Sequence, residues 1–233
     1  MSVLLLRLAG PMQSWGTRSR FSNRDTGLEP SRSGVVGLLC AALGRPRDAS
    51  LDDFLPLKMA VRVDREGRLV RDYHTAQEVL RADTTKKPQE TVLSERFYLS
   101  DADFLVGLQG DETFLKQLRA ALQRPTWPLF LGRKSFVPSL PVCEGLVNRE
   151  LRAALEAHPW RKRWVRDAPE QSLRCVIEVQ YGAGEPRQDV PVSFVSRDRR
   201  FAVRHVKDDK PITPTTILEP DQEFPRVPEQ TGS

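Results

Sequence analysis

Val3-Leu-Leu-Leu-Arg-Leu-Ala9, stopped by Gly10-Pro11, is the stretch on which the fold turns. A short apolar run broken only by Arg7, with a strong turn signal behind it, reads as a buried strand. Residues 10–34 are then irregular and rich in Gly, Ser and Arg. A helix follows, with Ser31 or Ser33 as its N-cap and Gly44 just past its end. Its body, Val35–Leu43, is apolar nearly all round, which predicts burial rather than a surface position. Gly34, Gly37 and Ala41 share one side, a face on which another backbone can approach closely. Leu57–Val63 alternates Leu57, Met59, Val61 and Val63 with Lys58, Ala60 and Arg62, predicting a half-buried strand with a basic outer face. Phe104–Leu108 reads as another strand. Asp111–Gln123 reads as an amphipathic helix with Phe114, Leu115, Leu118 and Leu122 on one stripe, acids at its start and Arg119 and Arg124 at its end.

With Leu129–Leu131 as a further strand, the elements run β-α-β, β-α-β. That is the split plan of ferredoxin-like domains, which RNA-recognition modules also use. The fold class expected is therefore α+β, with a modified ferredoxin-like domain over residues 1–145. Pro125–Pro141, with four prolines, is a constrained loop. A short helix near Glu150–Ala157, ended by His158-Pro159, opens a small β-rich region over 146–212. There Leu173, Cys175, Ile177, Val179 and Tyr181 alternate cleanly, with Phe201–Val206 as a pairing partner. Residues 213–233, punctuated by Pro214, Pro220, Pro225 and Pro228, read as an extended or disordered tail. Residues 65–96 are polar and charged without helical periodicity, a long insertion of the kind that is usually functional or disordered.

A chain of 233 residues can bury a sizeable core without disulfide staples. Cys40, Cys143 and Cys175 have no CxxC spacing, which argues against a secreted disulfide scaffold and a structural zinc site. No apolar run approaches the ~20 residues that span a bilayer, and the N-terminal stretch is too short for a signal peptide. A soluble, cytoplasmic protein without metal or cofactor is expected. The net charge is +5, with 28 arginines among 36 basic residues. Arginine suits bidentate phosphate recognition and stacking on bases, although a GC-rich genome yields the same bias. Residues 1–47 hold seven Arg and no Lys against Asp25 and Glu29 alone. Further basic clusters lie at Trp160–Arg166 and Arg197–Arg204. Three separated patches favour a polyanion partner.

The chemistry-bearing residues are few. His74, His158 and His205 lack metal-ligand spacing. His74, in Asp72-Tyr73-His74-Thr75, either moves protons on RNA, contacts a base or fills a loop. Gly34-x-x-Gly37 is no Walker loop, and Ser14 and Ser135 lack a nucleophile-elbow context. Gly10-Pro-Met-Gln-Ser-Trp-Gly16 offers an exposed stacking tryptophan beside hydrogen-bonding groups, or else a core tryptophan. Leu131-Gly-Arg-Lys-Ser135 puts two cations and a hydroxyl at a glycine turn, fit to clamp a phosphodiester. The predicted strands carry no aromatic ladder for base stacking, so recognition is expected in loops.

Six segments in order carry a family resemblance. Arg7–Gly16, Arg32-Ser-Gly-Val-Val-Gly-Leu-Leu39, Arg71-Asp-Tyr-His-Thr75, Arg96-Phe-Tyr-Leu-Ser-Asp-Ala102, Leu131-Gly-Arg-Lys-Ser135 and Phe194-Val-Ser-Arg197 resemble the signatures of the CasD family of type I-E CRISPR Cascade. The resemblance spans roughly residues 3–206. Phe136 departs from it, standing where the family often has a small residue or cysteine. The resemblance implies a repeat-associated superfamily member with a modified RNA-recognition fold. It implies a β-hairpin thumb at about residues 72–98, which turns out a base at the handle–spacer boundary. It also implies a non-catalytic protein that caps the 5′ handle of the CRISPR RNA and touches the CasC backbone and the CasA large subunit. Target DNA is then met only indirectly, within the complex, and a separate CasE subunit cuts the precursor. The RNA-binding residues nominated are Gln13, Ser14, Trp15, Arg24, Arg32, Ser33, His74, Arg96, Arg133, Lys134 and Ser135. The rival expectations are a metal-free endoribonuclease acting through Tyr73 and His74, and a free-standing RNA-recognition module.

Overall fold

Strand β1 (Ser2–Ala9) is buried along its whole length because neighbours pair with both of its edges and both of its faces are covered. The computed structural model describes residues 1–16, 22–80, 88–162 and 172–219. After β1 come the two-residue strands β2 (Met12–Gln13) and β3 (Asn23–Arg24), helix α1 (Arg32–Leu43), β4 (Lys58–Arg65), β5 (Arg68–Leu80), β6 (Pro88–Ser100), β7 (Asp103–Gly110) and α2 (Glu112–Gln123). Then follow β8 (Cys143–Asn148), α3 (Leu151–Ala157), β9 (Trp160–Arg161), β10 (Leu173–Val179), β11 (Glu185–Ser193), β12 (Arg200–Ile212) and β13 (Ile217–Leu218). The main sheet is antiparallel, in the order β11-β12-β10-β4-β7-β1-β8. The fold is thus mixed α+β, dominated by antiparallel sheet.

Local chemistry sets the helices. Ser31 Oγ accepts from the Gly34 amide, and Gly44 closes α1 with φ 68, a left-handed cap that costs glycine least. Asp111 caps α2, accepting from the Phe114 amide at 2.8 Å. The first core lies on the face of α1 and α2, with Leu4, Leu6, Leu8, Leu38, Phe104 and Leu118 at its centre. The second lies under α3, with Val3, Leu5, Leu105, Leu155 and Cys175. Odd and even residues of β1 therefore serve different cores, as a strand's period of two requires.

Several expectations need correction. Leu129–Leu131 is not a strand. Leu131 instead gives its carbonyl to the Ser14 amide and takes the Phe136 carbonyl, and the edge beside β1 belongs to β8. The outer face of β4 is not basic: Arg62 is 0% exposed. Its guanidinium holds Asp64 and the Leu155, His158 and Pro159 carbonyls, so it caps the C-terminal end of α3. Gly34 faces the Trp15 ring rather than another backbone, and a Cβ on Gly37 would meet nothing within 4 Å. The boundary drawn at residue 145 falls inside β8, and β10 and β12 extend the main sheet. Residues 213–219 are not free tail, since β13 pairs in parallel with β9. Residues 220–233 lie outside the described residues. The polar insertion is a hairpin, β5 against β6, each strand 13 residues long. Its tip, 81–87, lies outside the described residues.

A close approach joins the main sheet to the hairpin. Gly132, at φ 87, lies so near the Ser14 carbonyl that a Cβ there would stand 1.7 Å from it. Gln13, fully buried, donates its amide to the Leu8 and Ala102 carbonyls. Gly132→Ala is expected to destabilise the protein by about 2 kcal/mol or more, combining a strained φ with a backbone clash. Urea denaturation tests it, and unchanged stability would mean that the loop relaxes freely.

Under α3, Arg7 binds Asp64, Asp103 and Glu144, and His158 lies 3.3 Å from Glu144. Burial holds His158 below the ordinary histidine range despite Glu144. Burial alone would raise Asp64, but the Arg62 and Arg7 charges outweigh it and hold its carboxyl low. For these two groups the unfolded state then binds more protons than the fold, so their contribution falls as pH falls, whereas burial raises Asp103 and gives it the opposite sign in the carboxylate range. The His158 contribution is full above about pH 6.5 and is lost below it, as the imidazole of the unfolded chain takes up its proton. The Asp64 contribution is lost only in the carboxylate range. The thermal midpoint should therefore drop between pH 7 and 5.5, and His158→Gln should flatten that slope. An unaltered slope would count against a buried neutral imidazole.

Candidate nucleic-acid interface

Strand β6 is the spine of the site. β5 pairs with one edge, and β2 and β3 with the other, setting Gln13 beside Leu99 and Arg24 beside Arg96. Asp72 lies opposite Arg96 and His74 opposite Ser94, so alternation collects Asp72, His74, Ser94, Arg96 and Tyr98 on one hairpin face. Arg71, Tyr73, Leu93, Glu95 and Phe97 take the other face, where Arg71 and Glu95 form an ion pair.

The turn after α2 completes the first face. Gly132 seats it against Ser14, and the Phe136 amide bonds the Arg133 carbonyl to close it. Arg133 donates from Nη1 to the Tyr98 hydroxyl at 2.9 Å and reaches the Arg24 carbonyl with Nη2. Its guanidinium also stacks 4.5 Å from the Tyr98 ring centroid, and Phe136 meets that ring edge-on at 5.0 Å. Tyr98 donates to Asp72 at 3.4 Å. His74 Nδ1 lies 3.9 Å from the same carboxylate, and Arg96 donates to Ser94 Oγ at 3.1 Å. Burial, and then the charges of Arg96 and Arg24, depress the Arg133 pKa, with Tyr98 and Asp72 opposing. Three guanidiniums thus share a face with Asp72. Lys134 and Ser135 stand exposed on the adjoining turn. Such a surface suits phosphate groups, with Tyr98 and Arg133 as a stacked platform beside them.

Of the residues nominated from sequence, Arg24, His74, Arg96 and Arg133 come together here, with Lys134 and Ser135 at the margin. Ser14 lies beneath, its hydroxyl bonded to the Phe97 carbonyl. Trp15 is not an exposed stacking face. It is 1% exposed, and its Nε1 donates to Gln13, so the Gln13–Trp15 pair builds the floor. Arg32 is buried and holds Glu178 in a bidentate pair, with the Phe54 and Leu55 carbonyls on its other nitrogen. Ser33, in the first turn of α1, faces Ser31 Oγ. The N-terminal charge is therefore not one surface. Arg7 and Arg32 sit in buried ion pairs and Arg45 is held at the surface by Asp53, and residues 17–21, with Arg18 and Arg20, lie outside the described residues. Arg204 of the third cluster is engaged by Asp189 and Glu178. The second cluster is described only to Lys162.

Tyr98 and Asp72 were missed, although Arg96-Phe97-Tyr98 and Asp72-Tyr73-His74 are i, i+2 pairs whose strand periodicity puts each on one face. The same periodicity separates Tyr73 from His74, so those two neighbours do not form one acid–base pair. Among the described residues no cluster of His, Cys, Asp or Glu has the make-up of a metal site, and no helix is long and apolar enough to cross a membrane.

Residues 3–207 match the sequence model of the family described as CRISPR-associated protein (Cas_Cas5). The chain is 39% identical over 148 residues to the CRISPR system Cascade subunit CasD of Escherichia coli (strain K12), covering 58% of this chain and 66%, just under two thirds, of that relative. A chain from a CRISPR RNA-guided surveillance complex superposes with a TM-score of 0.79 at 34% identity, over 95% of both chains. A crystal structure of a Cas protein gives 0.74 at 41% identity, over 94% of this chain and 99% of that one. All six segments that resemble CasD fall inside the matched stretch, and the chain belongs to the Cas5 family of CRISPR-associated proteins.

Proposed function

We propose that this chain is a non-catalytic subunit of a CRISPR Cascade surveillance complex, working in the cytoplasm. It binds and caps the 5′ handle of the CRISPR RNA and links CasC backbone subunits to the CasA large subunit for interference with foreign DNA. The observation that carries this reading is the convergence of Arg24, Arg96 and Arg133 around Tyr98 at the root of the hairpin. In this reading the strand order β8-β1-β7-β4, with α1 and α2 on one face, is the ferredoxin-like plan of RNA-recognition modules, and the β5–β6 hairpin is the thumb. The protein holds backbone and handle, and the paired guide reads the target.

Handle binding by the purified full chain should therefore be strongly salt-dependent. Replacing Arg133 and Lys134 together by Ala should weaken it for every sequence. The slope of log K against log salt should shrink by about 0.7 for each phosphate of the single strand that the variant no longer neutralises. Fluorescence anisotropy across a salt series measures this. A slope equal to that of the parent protein would remove the turn from the binding surface.

The same reading makes the protein a binder without cleavage. Labelled repeat RNA incubated with it, with or without a chelator, should stay intact. Specific cutting that His74→Ala abolishes would replace this reading with the nuclease one, His74 then working with Asp72 and Tyr98 rather than with Tyr73.

A further inference from the structure

The main sheet ends at two edges, β11 and β8, and the two are built differently. A strand edge offers unpaired amides and carbonyls to any extended chain, and native proteins blunt such edges with prolines, lysines and bulges. β11 carries Pro186 and Pro191 and two interruptions of its register with β12. β8 has neither proline nor lysine. Its one irregularity lies at its start, where Leu5 faces Gly145 and Leu6 faces Cys143, leaving Glu144 between them. From Gly145 to Asn148 the strand is regular against β1, and every second residue turns its amide and carbonyl outward. Among the described residues no other backbone segment bonds that outer side.

The side chains along this edge are incompletely covered. Leu146 packs against the first core and Val147 against the second, and each is only half-buried. A strand added beside β8 sets one side chain next to Leu146 on the α2 face and the following one next to Val147 on the α3 face. Cations stand at both ends. Arg149, just past β8, is exposed and engaged by no carboxylate among the described residues. At the other end the charge of Arg119, from α2, acts on the Cys143 thiol. Arg119 Nε is buried without a hydrogen-bond partner among the described residues, and a buried donor left in that state is costly. The neighbouring carboxylates are committed, Glu144 to Arg7 and His158 and Glu150 to the Arg152 and Ala153 amides that open α3. A second copy of this chain, paired through its own β8, brings Arg119 and Arg149 again and no free carboxylate. Charge complementarity therefore favours an acidic partner over self-pairing.

We propose that the outer edge of β8 is a β-augmentation site that takes an extended segment of a partner protein as an eighth strand. That segment has consecutive apolar residues at its centre, one for each face, and a carboxylate at each end. Main-chain hydrogen bonds give the affinity, Leu146 and Val147 select the apolar centre, and Arg119 and Arg149 select the acids. The site shares no residue with the RNA-binding surface and stands apart from that reading.

The test adds a labelled, capped eight-residue peptide to the purified full chain. The peptide has four central valines, a threonine on each side of them and glutamate at both ends. Binding should saturate by fluorescence anisotropy, and amide hydrogen exchange should slow across Gly145–Asn148. The same peptide ending in lysines should bind about tenfold more weakly, since each end trades an attraction for a repulsion. A peptide N-methylated at all four valines should not bind. Replacing Arg119 and Arg149 together by Gln should remove the preference for glutamate ends, while undiminished protection of the β1 amides shows the sheet intact. No protection at Gly145–Asn148 with millimolar peptide, equal binding of the two charge forms, or binding of the N-methylated form overturns the proposal. Protection that appears with rising protein concentration alone, together with a dimer in sedimentation velocity, gives the edge to a second copy. Protection by handle RNA alone gives it to nucleic acid, and either result overturns the acidic segment. Peptide binding without handle binding overturns the RNA reading and leaves this one standing.

Discussion

The candidate interface depends on one close backbone approach, Gly132 against the Ser14 carbonyl. On one side of that contact the chain is anchored to the core. Trp15 packs on α1 at Gly34, where any side chain would strike the indole, and Gln13 ties β2 to the end of β1 through the Leu8 carbonyl. On the other side, Arg133 leaves the turn to reach Tyr98 and the Arg24 carbonyl. The position of one cation is thus referenced, through short rigid links, to a helix whose flank is buried. A surface arginine on a mobile loop would lose rotamer freedom on meeting a phosphate, a cost of up to ~2 kcal/mol. Here much of that ordering is already made in folding.

Charge in this protein divides sharply between interior and surface. Around α3, Arg62, Asp64, Arg7 and Glu144 are all nearly inaccessible. A second network joins Arg32, Glu178, Arg204 and Asp189, and the Arg32 amide itself donates to Asp189 at 2.8 Å. Such pairs add little net stability relative to apolar packing, but breaking one costs about 3–5 kcal/mol. Their effect is therefore on arrangement. They fix α1 to the C-terminal strands and α3 to the sheet. Exposed pairs such as Lys116 with Glu112 are screened by water and salt and add little. What remains for a polyanion is a much smaller set of arginines than the composition suggests.

That contrast explains what was legible in the sequence. Apolar periodicity and the Ser31 and Gly44 caps located β1, α1, β7, α2 and α3 closely, because such signals act on their own neighbours and need no tertiary context. The fourth strand beside β1 was misplaced because Leu129-Phe-Leu131 is the more apolar run, whereas Glu144, Gly145 and Asn148 interrupt the true strand, and only the closing of the turn on Ser14 shows that Leu131 is used elsewhere. Strand β11 was not seen at all. Pro186 and Pro191 mask it, and both are tolerated because β11 is the edge of the sheet. For the site, the structure brings residues of motifs distant in sequence together at β6. The errors were at Trp15, Arg32 and the outer face of β4. In each, a polar or amphipathic side chain is buried by a partner more than ten residues away, and local pattern carries no trace of such a partner. For Arg62 these are the carbonyls at the end of α3, and for Arg32 they are Glu178 and the Phe54 and Leu55 carbonyls.

The hairpin makes the last step concrete. Two strands of 13 residues in register give each residue a fixed side. One face gathers Arg96, His74, Asp72 and Tyr98, to which β3 and the turn add Arg24 and Arg133. The other carries Tyr73, 58% exposed, with Leu69 and Leu93 and the self-neutralised Arg71–Glu95 pair. Guanidiniums gathered on one face repel one another in the free protein, and the Arg96 and Arg24 charges add to the burial that depresses Arg133. Asp72 accepts from Tyr98 and stands beside His74, so its charge is shared among several groups. An anion entering that face relieves the repulsion, and the same anion on the other face would find no such gain. Strand alternation therefore does more than order side chains here. It assigns the electrostatic driving force to one surface of the hairpin, and with it the side on which an anion is favoured.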